Sequence, residues 1–406
     1  MNTPQLEDRP PAATTPVTPA PEASAQAPTQ TPGAAPNNQE PMVATSSRAV
    51  TAEESLAEWW SKQHGFRAVV NQLIVALFVV LIILPLASLA GWFGLRTPAP
   101  SNTTNTTNTT SMSQTSMSNS PSPNAPAHTL YNPAAPVVAS GNVVNVNLVA
   151  KEARIAIAPG IAYDAWTFNG TVPAPVIRVR QGQTIHFTLT NDSQMSHSID
   201  FHAAQTPWNV NYQPVAPGQS LSFDWVANYP GAFLYHCGTP PVMEHMANGM
   251  YGAIIVDPAN GWATPAQEYV LVQSEFYTQR AANGDYTLNM TKMMDNQADY
   301  VTFNGYANQY TQSPLTAQPG QRIRLFIVNA GPTHFSAFHV IGAIFSDTYA
   351  DGNPANHEVG NQTITIPPGG GAVAELVIPE AGSYPFVTHS FMDASMGAMG
   401  IIKVAP

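Results

Sequence analysis

The sequence predicts an all-β protein with two β-sandwich domains in tandem, preceded by a disordered tail and one transmembrane helix. From about residue 143 onward, short runs rich in Val, Ile, Phe and Thr alternate with Pro-Gly, Asn-Gly and Gly-Gly turns. No helical period is sustained there, and this pattern is typical of antiparallel β-sandwiches. A set of motifs also recurs once along the chain, and one long apolar stretch interrupts the polar N-terminal part.

Composition limits the classes of function that the chain can have. Its 406 residues leave room for two or three domains. With 14 Lys and Arg against 25 Asp and Glu, the net charge is -11, and so acidic a chain is a poor nucleic-acid binder. The single cysteine excludes a disulfide framework, thiolate-clustered zinc sites and iron–sulfur clusters. A functional thiol therefore has to act with ligands of other types.

The N-terminal part predicts a tail, a membrane anchor and a linker. Residues 1–50 are rich in Pro, Ala, Thr and Gln without a hydrophobic period, and we predict a disordered tail over residues 1–67. Leu73–Leu95 carries no charge over 23 residues, enough to cross the bilayer core, and predicts a transmembrane helix over residues 68–96. Residues 97–137 are rich in Ser, Thr, Asn and Pro and predict a flexible linker.

The charges around the apolar stretch predict its orientation. Lys62 and Arg67 stand just before it, and only Arg96 follows it closely, which favours a cytoplasmic N-terminus. The alternative is a signal peptide cleaved at Ser88–Ala90, but the preceding region is far longer than signal peptides have. We therefore expect an uncleaved single-pass anchor in the inner (cytoplasmic) membrane, with the folded domains facing the periplasm or exterior.

An internal repeat predicts the domain organisation. Three motifs recur at nearly constant offsets of 135, 138 and 137 residues: Thr167–Gly170 as Thr302–Gly305, Gly182-Gln183 as Gly320-Gln321, and His197-x4-His202 as His334-x4-His339. Such self-similarity indicates two units of the same kind. We expect a first sandwich over residues 138–260 and a second over residues 261–406.

The first predicted metal centre combines His197, Cys237, His245 and Met250. Seven residues separate the cysteine from His245, and four separate His245 from the methionine. A soft thiolate and thioether with two imidazoles suit copper, and a trigonal site of two histidines and a cysteine with a weak axial methionine suits one-electron transfer. A buried apolar cysteine would explain Cys237 alone, but not four such residues at this spacing.

Two further histidines predict a second metal centre. His236 precedes Cys237, so on a strand its side chain points to the other face. His202 lies five residues after His197, an odd offset that also predicts the opposite side. Two outward-pointing imidazoles invite a metal ion that still needs a third ligand.

The second sandwich offers His389 as that third ligand. Residues 382–390 occupy the place of residues 231–237 in this alignment, so His389 falls near the position of His236. Ser390 then stands for the cysteine and Ala398 for the axial methionine, which predicts that the second sandwich has no blue-copper site. Three histidines and an open position are a catalytic arrangement. The alternative for His389 is a hydrogen-bonded core residue.

Asp200 and His339 are candidate proton donors near the second centre. Asp200 stands two residues before His202, on the same strand face, and His339 recurs at the corresponding place of the second domain. A carboxylate and an imidazole beside a metal can deliver protons. His334, as the duplicate of His197, is expected to be a relic or a hydrogen-bonded core residue.

Residues from about 140 to 406 resemble the two-domain copper nitrite reductases of the multicopper oxidase superfamily. The segments HSIDFH, YHCGTPPVMEHMANGMYGAIIVDP and FHVIG, with the late His389, carry the resemblance. It implies a homotrimer whose subunits each contain two cupredoxin-like Greek-key sandwiches and two coppers. The ligands it implies are His197, Cys237, His245 and Met250 for type 1 copper, and His202, His236 and the neighbouring subunit's His389 for type 2 copper. It also implies that Asp200, together with His339 of the neighbouring subunit, delivers protons and that Ile341 shapes the substrate pocket.

One departure concerns the loop between Cys237 and His245. It is one residue shorter than in the best-known soluble members, and Glu244 replaces the Trp that they carry before this histidine. The shorter loop resembles the loop in the branch of this family that includes membrane-anchored enzymes.

The function expected from these residues is one-electron reduction of nitrite to nitric oxide and water, with a cupredoxin or cytochrome c as donor. Two alternatives compete. A laccase-like two-domain multicopper oxidase needs His-x-His pairs, which the chain lacks, and a His-Cys-His, whereas Gly238 follows Cys237. A membrane-tethered electron carrier would bind one copper and turn over no nitrite.

Overall fold

The computed structural model describes residues 119–406. The predicted tail, the predicted transmembrane helix and the linker up to residue 118 lie outside the described residues. Residues 119–406 contain no helix that is both long enough and apolar enough to cross a membrane.

Strands dominate the described part of the chain, with five short helices between them. In chain order the strands are β1 (Val143–Ala158), β2 (Ile161–Phe168), β3 (Ala174–Arg180), β4 (Thr184–Asn191), β5 (Asp200–Phe201), β6 (Ser220–Val226), β7 (Gly231–His236), β8 (Tyr251–Asp257), β9 (Gln267–Phe276), β10 (Thr278–Arg280), β11 (Tyr286–Leu288), β12 (Tyr300–Phe303), β13 (Leu315–Ala317), β14 (Arg322–Gly331), β15 (Ser336–Val340), β16 (Phe345–Ala350), β17 (His357–Asn361), β18 (Thr363–Ile366), β19 (Gly371–Val377), β20 (Gly382–Thr388) and β21 (Met399–Val404). The helices are α1 (Trp208–Asn211), α2 (Val242–Ala247), α3 (Met290–Met294), α4 (Gln309–Gln312) and α5 (Phe391–Ser395).

The first sandwich packs a six-stranded sheet, in the order β10-β11-β2-β1-β4-β6, against a four-stranded sheet, in the order β3-β8-β7-β5. The alternation of buried and exposed residues along β4 explains why the two sheets pack face to face. Ile185, Phe187 and Leu189 are fully buried, while the residues between them are not. One face of each strand therefore fills the core and the other meets solvent.

The second sandwich pairs the sheet β12-β9-β14-β19-β16-β17 with the sheet β13-β21-β20-β15-β18. The predicted fold class, two tandem cupredoxin-like sandwiches, is thus confirmed for the described residues. The boundary at residues 260 and 261 stays a prediction. The strands β10 and β11 follow it in sequence, yet β11 pairs with β2 of the first sandwich.

An apolar cluster at the contact between the two sandwiches joins them. Strands β9, β14 and β19 are buried on both faces, because their outer face meets β7 and β8 of the first domain. The cluster includes Leu234, Ile255, Val270, Phe326 and Val373. Buried charges border it: Glu268 accepts hydrogen bonds from Arg178 of the first domain at 2.7 Å and from Arg324 of the second at 2.6 Å.

Residues 119–137, the last part of the predicted linker, lie along both sandwiches. The Ser122 N–H donates to the Gly160 carbonyl, and the Ser120 carbonyl accepts from the Tyr286 hydroxyl. Further on, the Tyr131 hydroxyl donates to the Ala174 carbonyl. This segment is thus hydrogen-bonded along the folded body, because its backbone N–H and C=O groups find partners there. Its composition alone does not reveal these partners.

Candidate metal centres

The first group of ligand atoms is the one predicted around Cys237. His197 lies in the loop after β4, Cys237 directly follows β7, and His245 is in α2. The two Nδ1 atoms are 3.2 Å apart, and the cysteine Sγ lies 3.4 Å from His245 Nδ1 and 3.8 Å from His197 Nδ1. A point equidistant from these three atoms lies about 2.0 Å from each, close to the roughly 2.0–2.3 Å of metal bonds to imidazole and thiolate. The donor set therefore fits a metal ion.

The main chain also brings Met250 to this group. It immediately precedes β8 and is fully buried. Its N–H donates to the His245 carbonyl at 3.2 Å, and its carbonyl accepts from the Cys237 N–H at 3.1 Å. The cysteine sulfur in turn accepts a hydrogen bond from the Ser198 N–H at 3.4 Å. Backbone hydrogen bonds from the surrounding loops thus hold this region in place.

Burial sets the protonation of these ligands. It lowers the pKa of His197 to about 4, helped by the neighbouring His245, and it also lowers the pKa of His245. Both imidazoles are thus neutral and able to bind a metal at neutral pH. Burial raises the pKa of the Cys237 thiol despite hydrogen bonds from Ser198 and Thr239. Metal binding must therefore release the thiol proton.

The second group consists of Asp200, His202 and His236. The two histidine Nε2 atoms are 3.1 Å apart, and Asp200 Oδ2 lies 3.7 Å from the Nε2 of His236. Each ring donates its Nδ1–H to a backbone carbonyl, of Gly369 for His202 at 3.1 Å and of Cys237 for His236 at 2.9 Å. This fixes the tautomer that leaves Nε2 free for a metal, as is usual for metal-binding histidines.

The two groups are joined by one peptide bond. His236 is the last residue of β7 and Cys237 follows it, so their side chains leave the chain in opposite directions. His236 is buried, and its burial, together with the adjacent His202, lowers its pKa, although the hydrogen bond to the Cys237 carbonyl opposes this. Among residues 119–406 of one chain, the ligand atoms of the second group all come from the first sandwich.

The remaining predicted site residues lie together on the second sandwich. His389 is exposed, and its ring centroid is 5.5 Å from that of His339 and 4.4 Å from that of Phe391. His339 donates its Nδ1–H to the Gln362 carbonyl at 2.5 Å, and Ile341 is 37% exposed. Within one described chain, neither His389 nor His339 joins the group of Asp200, His202 and His236.

The structure corrects how the repeat aligns the two domains. Asn191 donates to the Met195 carbonyl, and its counterpart Asn329 donates to the His334 carbonyl. His334 therefore corresponds to Met195 and is not the duplicate of His197. The shift is two residues, which keeps every side chain on the same strand face and so leaves the sequence pattern intact.

Hydrogen bonds identify the true equivalents of the first centre. The Thr388 N–H donates to the Ala398 carbonyl at 3.2 Å, which matches the bond from the Cys237 N–H to the Met250 carbonyl. The Ala398 N–H donates to the Asp393 carbonyl at 3.1 Å, which matches the bond from the Met250 N–H to the His245 carbonyl. The places of His197, Cys237, His245 and Met250 are thus taken by Ser336, Thr388, Asp393 and Ala398. His389 occupies the position of Gly238, not of His236, and Ser390 is not at the cysteine position.

Comparisons with known proteins agree with this arrangement. A sequence profile described as multicopper oxidase matches residues 150–261. The chain is 38% identical over 268 residues to the copper-containing nitrite reductase of Neisseria meningitidis serogroup B, covering 64% of this chain and 68% of that protein. The chain belongs to the copper-containing nitrite reductases. The resemblance on which the sequence analysis relied is thereby confirmed.

Solved copper nitrite reductases share the fold over the same part of the chain. The one from Nitrosomonas europaea matches 65% of this chain and 94% of its own, with a TM-score of 0.61 and 41% identity. The one from Thermus scotoductus matches 64% of this chain and 62% of its own, with a TM-score of 0.60 and 32% identity.

Trp166 is a residue near the first centre of this copper-containing nitrite reductase that sequence reasoning missed. It is half-buried on β2, and its ring meets that of His245 edge-on at 5.0 Å and that of His197 at 6.2 Å. Together with Asp164, it lines a shallow cavity of about 270 Å³ at the surface. A tryptophan 31 residues before the first ligand gives no signal in the sequence, because a long-range hydrogen bond, from the Trp166 N–H to the Asn248 carbonyl after α2, is what holds it there.

Proposed function

We propose that the chain reduces nitrite to nitric oxide and water at a type 2 copper that receives its electron from a type 1 copper. The observation that carries this proposal is the pair of unlike ligand groups that leave β7 in opposite directions at His236 and Cys237. Membership of the copper-containing nitrite reductases supports copper as the metal and nitrite as the substrate.

The first group is the proposed type 1 copper site. His197, Cys237 and His245 would supply two imidazoles and a thiolate, and Met250 is proposed to add its thioether. Such soft sites exchange one electron readily. Complete burial of the cysteine and near-complete burial of both histidines keep water away from the metal.

The second group is the proposed type 2 copper site, completed by a neighbouring copy of the chain. His202 and His236 supply two of its ligands, and we propose His389 of the partner subunit as the third. His389 is exposed and lies beside Phe391 and Met392, two apolar side chains that are also exposed. Covering this apolar surface with a second copy would bury it, which supports the homotrimer that the family resemblance implies.

The chain's own residues then have distinct tasks in the reaction. Copper bound at the first site would supply a one-electron store, and copper bound at the second would supply a Lewis acid and a template for nitrite. The Cys237–His236 peptide bond provides a covalent route of minimal length for the electron. Asp200 lies 3.7 Å from His236, where it can hand a proton to nitrite, and His339 of the partner subunit is the proposed second donor. Two protons are consumed as one nitrite oxygen leaves as water.

Ile341 of the partner subunit, which is half-exposed in the single chain, is proposed to narrow the pocket above the second site, so that a small anion enters and larger ones do not. We further propose a single-pass anchor in the inner membrane, periplasmic catalytic domains, and a cupredoxin or cytochrome c as donor. Extracting the protein from membranes with carbonate and with detergent tests the anchor, since only detergent should release it.

Copper content and nitric oxide formation test the proposed function together. With dithionite-reduced methyl viologen as donor, we expect two coppers per chain and nitric oxide from nitrite. His389→Ala should lose the second copper and turnover but keep the first copper and its colour. One copper per chain without turnover would favour an electron carrier, and oxidation of phenols without nitric oxide would favour an oxidase.

A further inference from the structure

A buried ion pair stands where the second sandwich has lost the equivalent of the first metal centre. Asp393, which takes the place of His245, is only 3% exposed. Its Oδ1 accepts a hydrogen bond from His334 Nδ1 at 2.8 Å. Neither residue belongs to the proposed copper sites, and a buried carboxylate needs such a partner because leaving it unpaired is costly.

His334 is itself fixed from its other side by Glu275. The backbone N–H of His334 donates to Glu275 Oε1 at 2.6 Å, and the Thr333 hydroxyl donates to Glu275 Oε2 at 2.7 Å. Glu275 is 1% exposed at the end of β9, and Tyr277 also donates to it. The hydrogen bond to Asp393 raises the pKa of His334, with both nearby carboxylates adding to the effect. The imidazole thus links the turn before β15 to α5.

That link matters because α5 begins only two residues after His389. The His389 N–H donates to the Ala337 carbonyl of β15 at 2.6 Å, which fixes the backbone on one side. On the other side, Ser390 is the residue before α5, and its carbonyl accepts from the Ala394 N–H. Asp393 is thus the buried anchor of the short helix four residues after His389, whereas the His389 ring is exposed at the surface.

We propose that His334 and Asp393 are positioning residues for His389: the ion pair, built in place of a copper site, holds α5 so that the histidine reaches the neighbouring subunit in one fixed orientation. This inference rests on the proposed function, in which the partner subunit's His389 completes the second copper site. A ligand on a short exposed loop loses affinity when it must be ordered at the moment of binding.

The test is the copper affinity of the second site in the full-length protein. Copper(II) is titrated into the metal-free protein in competition with a chelator, with the second site followed by electron paramagnetic resonance and the first by its visible absorption. His334→Leu should weaken binding at the second site roughly 10- to 100-fold, the range found for residues that orient metal ligands. Binding at the first site should not change.

Two variants separate positioning from general stability. His334→Asn keeps a hydrogen-bond donor near the position of Nδ1 and should restore most of the affinity. The double variant His334→Leu with Asp393→Leu removes both polar partners and leaves no unpaired carboxylate at position 393, so it should fold even if the single variant does not. It should still bind copper weakly at the second site.

A matched control is His186→Leu, which removes the exposed His186–Asp224 pair of the first sandwich. It should leave both affinities unchanged. Wild-type affinity at the second site in either the folded His334→Leu variant or the double variant would overturn the positioning role. The proposed function fails separately: it fails if His389→Ala keeps the second copper, whereas the positioning role alone fails if His389→Ala loses it and the His334 variants do not.

Discussion

Replacing Asp200 by Asn isolates the proton-donating task from metal binding. The side chain is 38% exposed and 3.7 Å from His236 Nε2, so the isosteric amide fits the same space and leaves both histidine ligands in place. It cannot donate an acidic proton. We expect both coppers to remain and turnover to fall about 10²-fold, the lower range of general acid–base contributions. This corresponds to about 2.7 kcal/mol in the activation free energy.

The assay compares the rate of nitric oxide formation with the copper content of the same sample. Asp224→Asn is the matched control, because Asp224 is an exposed carboxylate on β6 that contacts a histidine outside the proposed copper sites. Turnover of the control should equal that of the wild type. An Asp200→Asn protein with two coppers and undiminished turnover between about pH 5 and pH 7 would refute a role of this carboxyl group in proton delivery.

Three further predictions concern other parts of the molecule. Copper bound at the first site should quench tryptophan fluorescence, and Trp166→Phe should lose most of that quenching because its ring lies 5.0 Å from that of His245; equal quenching in both proteins would contradict the geometry. Arg324→Leu should lower the free energy of unfolding by about 1.5–3 kcal/mol, because Glu268 and Glu375 each lose one of the two arginines that pair with them, and denaturant unfolding measures the loss. Since the pKa of His334 is raised, its pair with Asp393 stabilises the fold below the unfolded value of about 6.5 and loses this contribution as pH rises through the folded value. The stability gap between wild type and Asp393→Asn should therefore be larger at about pH 6 than at about pH 9.

The first metal centre could be predicted in detail because its ligands are rare residue types at short, fixed spacings. Cys237 and His245 are joined by one loop and a short helix, so sequence distance and spatial distance agree. His197 comes from a distant loop, and it is assigned because a blue-copper centre needs a second imidazole, not because of its distance from Cys237 in the sequence. The structure brings the Sγ and both Nδ1 atoms within 3.8 Å of one another.

The alignment of the two sandwiches could not be predicted correctly. Side chains along a strand point to the same face at every second residue. Pairing His334 with His197 is therefore as consistent with the sequence pattern as pairing it with Met195. Only the side-chain hydrogen bonds of Asn191 and Asn329 decide between the two registers. The same error hid Asp393 as the counterpart of His245, since a carboxylate does not resemble an imidazole.

The sequence also could not predict the contacts of residues that belong to no recognisable motif or repeat. Trp166 lies on an outer strand face, where an aromatic residue predicts nothing in particular. Residues 119–137 have the composition of a linker, and nothing in it indicates which backbone groups they will meet.

The path of residues 119–137 determines where a mechanical load enters the protein. Tension arriving from the N-terminal side meets Asn119 first, whose amide donates to Thr278 and to the Tyr300 hydroxyl, and then the backbone of Ser120 and Ser122. These attachments lie on β10, β11, β12 and the β1–β2 turn, none of which bears a proposed copper ligand. For the same reason, a shortened chain that begins at residue 119 retains these attachments, whereas one that begins at residue 138 loses them all.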